Sequence, residues 1–171
     1  ALQIQGTNLT IAEPITVSGT GINADGAIRN MSTSTGTNTL SGIITLAANT
    51  EINSDANILA ITGAIGLSTY NIIFGGAGNI SSSGIISGSG AITKVDAGML
   101  TLSGANTYTG VTTVNANSGI LKINGNAAAL GAVTGATIIN TGSALQVDGG
   151  ITFAAEPITI SGTGINSDGV I

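Results

Sequence analysis

The chain writes one sentence twice. AEPITVSGTGINADGAI occupies residues 12–28, AEPITISGTGINSDGVI occupies 155–171, and the match extends backwards to pair all of 1–28 with 144–171. Of those 28 positions, 18 are identical at a fixed offset of 143, where so biased a composition gives roughly three by chance. The substitutions keep size and polarity: Val17 becomes Ile160, Ala24 becomes Ser167 and Ala27 becomes Val170. Copies of one packed unit drift in this way, and self-similarity at a fixed period marks a stacked or arrayed architecture. The expected organisation is one unit over 1–143, the start of the next over 144–171, and a single continuous solenoid that is a segment of a longer tandem chain.

Inside the unit, short apolar segments alternate with turn residues, as in PITVSG, LSGIITLAA, NILAITGAIG, YNIIFGGAG, MLTLSG, GILKING and ALQVDGG. Many alternate with period two and close on Gly, Asn or Ser, which predicts strand after strand joined by tight turns. One weak helical exception, NAAALGA at 126–132, is too short to stand alone. Sandwich and propeller cores lean on aromatic side chains, but only Tyr70, Phe74, Tyr108 and Phe153 are present. A solenoid instead stacks like on like, so Ile, Leu and Val ladders can fill a narrow core. The phrases VSG at 17–19, LSG at 40–42, ITG at 61–63, ISG at 86–88 and LSG at 102–104 recur at about one coil of a parallel β-helix. The expected fold is all-β, a parallel β-helix or β-solenoid, with about six or seven coils per 143-residue unit at roughly 20–24 residues per coil.

Composition narrows the functions. There are 3 basic and 8 acidic residues and no His or Cys. The net charge of −5 without a basic patch argues against nucleic acid and anionic membrane as partners. No run of 18 apolar residues offers a transmembrane helix. Abundant Gly, Ser and Asn invites a reading of disorder, but 26 Ile residues and a mean hydropathy of +0.49 demand a core to bury them.

The stretch SGSGAITKVDAGMLTLSGANTYTGVTTVNANSGILKI, residues 87–123, resembles the autotransporter-associated β-strand repeat of bacterial autotransporter passengers. The matching elements are Lys94, the strand Met99 to Gly104, the N-T-Y-T-G run Asn106 to Gly110, Thr112 to Asn115, and Gly119 to Ile123. Val95-Asp96-Ala97 departs from the glycine-rich step usual after the Lys, and Val111 stands where a second Gly is common. The resemblance implies a right-handed parallel β-helix, exported across the outer membrane of a Gram-negative bacterium and forming a displayed or released rod, often adhesive. The absence of Cys fits a chain that crosses the periplasm unfolded.

Candidate sites are few. Polysaccharide-cleaving chemistry needs paired carboxylates, or a carboxylate with a base and a metal. The acids are Glu13, Asp25, Glu51, Asp55, Asp96 and Asp148, with Glu156 and Asp168 as repeat images of the first two. With no His to partner them, no catalytic residue, metal ligand or cofactor is expected. Asn23 and Asp25 in GINADG, repeated as Asn166 and Asp168, resemble a fragment of a calcium loop, but Asn, Asp and Gly in that order also make an ordinary turn, which is the reading preferred. Lys94 and Asp96 are expected to form a surface ion pair. Tyr108 could stack on a sugar, but packing over a coil is the simpler role. The run STSTGTNT at 32–39 raises an ice-binding face, which would need Thr pairs in register on every coil rather than in one place. Pro14 and Pro157 are expected to mark the same corner in successive units. The expected function is non-enzymatic: an extracellular or outer-membrane-displayed rod or fibre, part of the cell surface or biofilm matrix, whose partners are further copies of itself. The alternative is an adhesin module for a carbohydrate or a host-surface receptor, with binding residues unassigned.

Overall fold

The computed structural model describes residues 1–152 and 155–165, and Phe153, Asn166 and Asp168 lie outside them. Eighteen strands wind through successive coils. The first coil comprises β1 (Leu2–Ile4), β2 (Thr10–Ile11) and β3 (Ile15–Gly19). A 3₁₀ turn over Ile22–Ala24 leads to β4 (Ile28–Asn30), β5 (Thr37–Leu40) and the long β6 (Ile44–Ser54), which bends round a corner and serves two faces. Then follow β7 (Ile58–Ile61), β8 (Ile65–Ser68), β9 (Ile72–Gly75), β10 (Asn79–Ser82), β11 (Ile86–Gly88), β12 (Ile92–Lys94) and β13 (Met99–Leu102). The last are β14 (Thr112–Val114), β15 (Gly119–Asn124), β16 (Thr137–Ile139), β17 (Ser143–Asp148) and β18 (Ile158–Ile160).

Every strand pair is parallel, and each strand lies on its counterpart one coil away, so the expected β-solenoid is what forms. Three faces result. The first face stacks β1, β4, β6, β9, β12, β14, β16 and β18; the second stacks β2, β5, β7, β10, β13, β15 and β17. The third stacks β3, the first half of β6, β8 and β11. The inner ladder of the first face runs Leu2, Ile28, Ile52, Phe74, Lys94, Val114, Ile139, Ile160. Six full turns therefore separate Leu2 from Ile139. On the second face the matching ladder is Asn38, Leu59, Ile80, Leu100, Leu121, Leu145.

Period-two alternation decides which side chains point in. In β7 Leu59 and Ile61 are fully buried while Ile58 is exposed, and the same in-out order recurs in β10 and β13. Burial of each large aliphatic contributes roughly 1.5–3 kcal/mol, and coil-to-coil bonds satisfy the backbone without hairpins. Polar ladders and special residues finish the corners. Asn49 Oδ1 accepts from Asn71 N, and Asn71 Oδ1 from Ala91 N, both at 2.9 Å. Asn8, Asn57, Asp96 and Asn117 each take a positive φ between a first-face and a second-face strand, the conformation that Asn and Asp tolerate best among residues with a Cβ.

The segment 126–132, too short for a helix, is a turn with Ala129 and Leu130 packed into the core. The SG and TG phrases do not mark one corner. Gly42, Gly63 and Gly104 stack between the second and third faces, where Gly84 completes the column, whereas Gly19 and Gly88 end third-face strands.

The two copies of the repeated sentence also fall on different faces. Leu2–Ile4 belongs to the first face, whereas its image Leu145–Val147 lies in β17 on the second; Ile15–Val17 lies in third-face β3, whereas Ile158–Ile160 is first-face β18. A 143-residue step is thus six coils and one further face. Pro14 and Pro157 consequently stand at different corners, contrary to the expectation of one recurring corner. Glu13 is exposed, and its image Glu156 accepts a hydrogen bond from Thr137 Oγ1 at 3.0 Å.

Candidate functional site

The polar residues that could carry function fall into a few separate places. Outside the first face, Arg29 on β4 bridges two acids. Its Nη1 lies 2.7 Å from Asp25 Oδ2, and its Nε and Nη2 each lie 2.7 Å from Asp55 Oδ2. Asp25 is therefore spent on an ion pair, and Asn23 sits at φ 56 within the 3₁₀ turn, which is the turn reading of GINADG. On the second face Lys122 Nζ meets Asp148 Oδ2 at 2.9 Å; this partnership, with Gly149 N, holds the Asp148 carboxyl below its ordinary value. All three ion pairs are solvent-accessible, where such contacts contribute little.

Lys94 is not on the surface. It occupies the inner ladder between Phe74 and Val114 and is 2 % exposed. Its ammonium turns along the corner to donate to the carbonyls of Val95, Asp96 (2.6 Å) and Ser118 (2.9 Å). The expected surface pair with Asp96 does not form, because β12 ends at Lys94 and the turn sends Asp96 the other way, where its Oδ2 accepts from Gly76 N at 2.8 Å. Burial lowers the Lys94 pKa to about 8, partly opposed by the charge of Asp96.

Tyr108 is fully buried, and its hydroxyl shares a 2.6 Å hydrogen bond with Thr112 Oγ1. Burial drives its pKa far above the ordinary phenol value, with the Thr112 bond opposing. Phe74 is also buried and Tyr70 half-buried, so among the described residues no aromatic ring stands free to stack on a sugar. Asn106, also buried, does what sequence reasoning missed. In the coil segment that forms no third-face strand, its Oδ1 accepts from Ile86 N (2.8 Å) and its Nδ2 donates to Ala129 O (2.6 Å). One amide side chain thus joins the coils on either side where no third-face strand forms, and Tyr108 fills the space beneath.

These features form one pattern over about one and a half coils: a buried Lys closing a turn, a strand, an Asn–Tyr pair where no strand forms, then two more strands. Residues 92–123 match the passenger-associated-transport-repeat family. The passenger-associated repeat thus begins with β12 and ends inside β15, five residues inside the sequence motif at its start and level with it at its end. No curated protein and no solved structure gives a significant match to the chain. The matched repeat and the β-solenoid fit an autotransporter passenger.

On β6, Glu51 was one of the candidate acids, whereas Asn53 beside it was not singled out by sequence. Although they face outward, they are 9 % and 6 % exposed. The turn that contains Gly26 packs against Asn53. Asn53 Nδ2 donates to Glu51 Oε1 at 3.0 Å. The Glu51 pKa is raised by burial, opposed by that bond and reinforced by the charges of Asp96 and Asp25. Among the described residues, no three His, Cys, Asp or Glu side chains gather to hold a metal, and no helix is long and apolar enough to cross a membrane.

Proposed function

We propose that the chain is a stretch of a non-enzymatic passenger rod, displayed on or released from a Gram-negative cell surface, that associates with further copies of itself. The observation that carries this reading is the unbroken stack: six turns share continuous core ladders. Two further features support it. The passenger-associated repeat lies within the stack. Along the corner between the second and third faces, Ile43, Ala64 and Ile85 form an outward ridge in successive coils, with Ile43 and Ile85 about half exposed. This ridge suits lateral contact between rods of low charge.

Electron cryomicroscopy of the full-length protein as it leaves the cell tests this reading. The expected result is rods with a ~4.8 Å axial spacing, thickening into bundles as concentration rises. Globular particles without that spacing would discard the rod, and rods that stay single at every concentration would discard self-association.

A further inference from the structure

Three consecutive coils meet above Gly75. Asn53 of β6 lies in register with Gly75 of β9, and Asp96 follows β12 one coil further on. Gly75 has no side chain, and both neighbours reach over it: Asn53 Oδ1 and Asp96 Oδ2 lie 2.4 and 2.9 Å from where a Gly75 Cβ would stand. Asn53 is 94 % buried by its 6 % exposure, and its Oδ1 has no hydrogen-bond partner among the described residues. An orphaned amide oxygen in such a place is a costly feature that calls for a counterpart.

Turning the amide over does not supply one. Asn53 stands between two carboxylates, with Glu51 Oε1 on one side and Asp96 Oδ2 on the other. An amide has one donating and one accepting end, and ionised carboxylates only accept. In either orientation one amide oxygen therefore faces a carboxylate oxygen. Glu51 holds the NH₂ end, so the oxygen is aimed at Asp96 across the gap that Gly75 leaves.

We propose that this gap is a calcium-class cation site. Its ligands are Asn53 Oδ1 and the Asp96 carboxylate, with Glu51 as the positioning residue that fixes the amide and water completing the shell. An all-oxygen donor set of carboxylate and amide carbonyl suits a hard divalent ion, and calcium tolerates the irregular geometry better than magnesium. With two protein ligands the affinity belongs to the weak extracellular class, about 10⁻⁴–10⁻³ M. A bound ion would tie three coils together at the corner where Lys94 closes the turn beneath. The site is independent of the self-association proposed above.

The test is thermal unfolding of the chelator-treated protein while calcium chloride is added to ~10 mM, compared with D96N and N53L. Asn at position 96 keeps an acceptor for Gly76 N and tolerates the φ of 61, and Leu at position 53 is close to Asn in size. The expected result is a saturable rise of about 3–11 °C in the native protein, absent from both variants. Equilibrium dialysis with radioactive calcium should show one ion per chain in the native protein and none in D96N. An equal rise in D96N, or no rise in the native protein, overturns the site.

Discussion

A lysine in an aliphatic ladder sets the terms at the residue scale. Lys94 contributes its stem to the core and its charge to three carbonyls. Alanine there would open a cavity and strip those carbonyls of their donor, so K94A should lose about 2–5 kcal/mol in urea unfolding. The pH dependence has a definite sign. Folding lowers the Lys94 pKa to about 8, so the fold favours the neutral amine. That contribution is complete above the unfolded value near 10.4 and is lost as pH falls to about 8. Stability measured from pH 8 to 10.5 should rise more steeply in the native protein than in K94M, and equal slopes would show that Lys94 does not titrate there. Tyr108 gives a gentler case: Y108F keeps the ring and loses the hydroxyl bond to Thr112, for an expected cost of about 1 kcal/mol.

Among elements, the glycine column between the second and third faces fixes how closely coils approach. A Cβ on Gly63 would stand 1.9 Å from Gly42 O, and one on Gly84 would stand 2.0 Å from Gly63 O. Gly66 in β8 has only Ile44 O nearby, at 3.9 Å. G63A should therefore destabilise by about 1–3 kcal/mol or more through overpacking of backbone. G66A should be neutral or stabilise by about 0.5–1 kcal/mol, because a strand interior gains from losing glycine's freedom. Equal melting temperatures for the two variants would refute the column as a spacing device. Strand existence was legible in the sequence because Ile and Leu alternate with Thr, Ser and Gly. The strandless coil segment at Asn106 was not, since only contact with Ile86 and Ala129 reveals what its amide replaces.

For the whole molecule, the consequence lies in the arithmetic of 143. Six coils and one face carry Leu2 from the first face to Leu145 on the second, with an advance of ~30 Å at ~4.8 Å per coil. In a longer array the same side chains would face a new direction with each unit and return after three. A map of a multi-unit chain should therefore show EPIT opening a strand on the next face round in each successive unit. EPIT on one constant face would refute the offset.

The sequence by itself determined the repeat, the all-β character, the coil length and the motif at 87–123, since these depend on periodicity and on residue types that act locally. Tertiary structure alone decided that Lys94 is inside, that Asn53 Oδ1 has no hydrogen-bond partner among the described residues, that Glu13 and Glu156 differ, and that the two copies occupy different faces. Each of these depends on what lies one coil away, 20 to 26 residues along the chain, and coils of unequal length hide that neighbour from any fixed period.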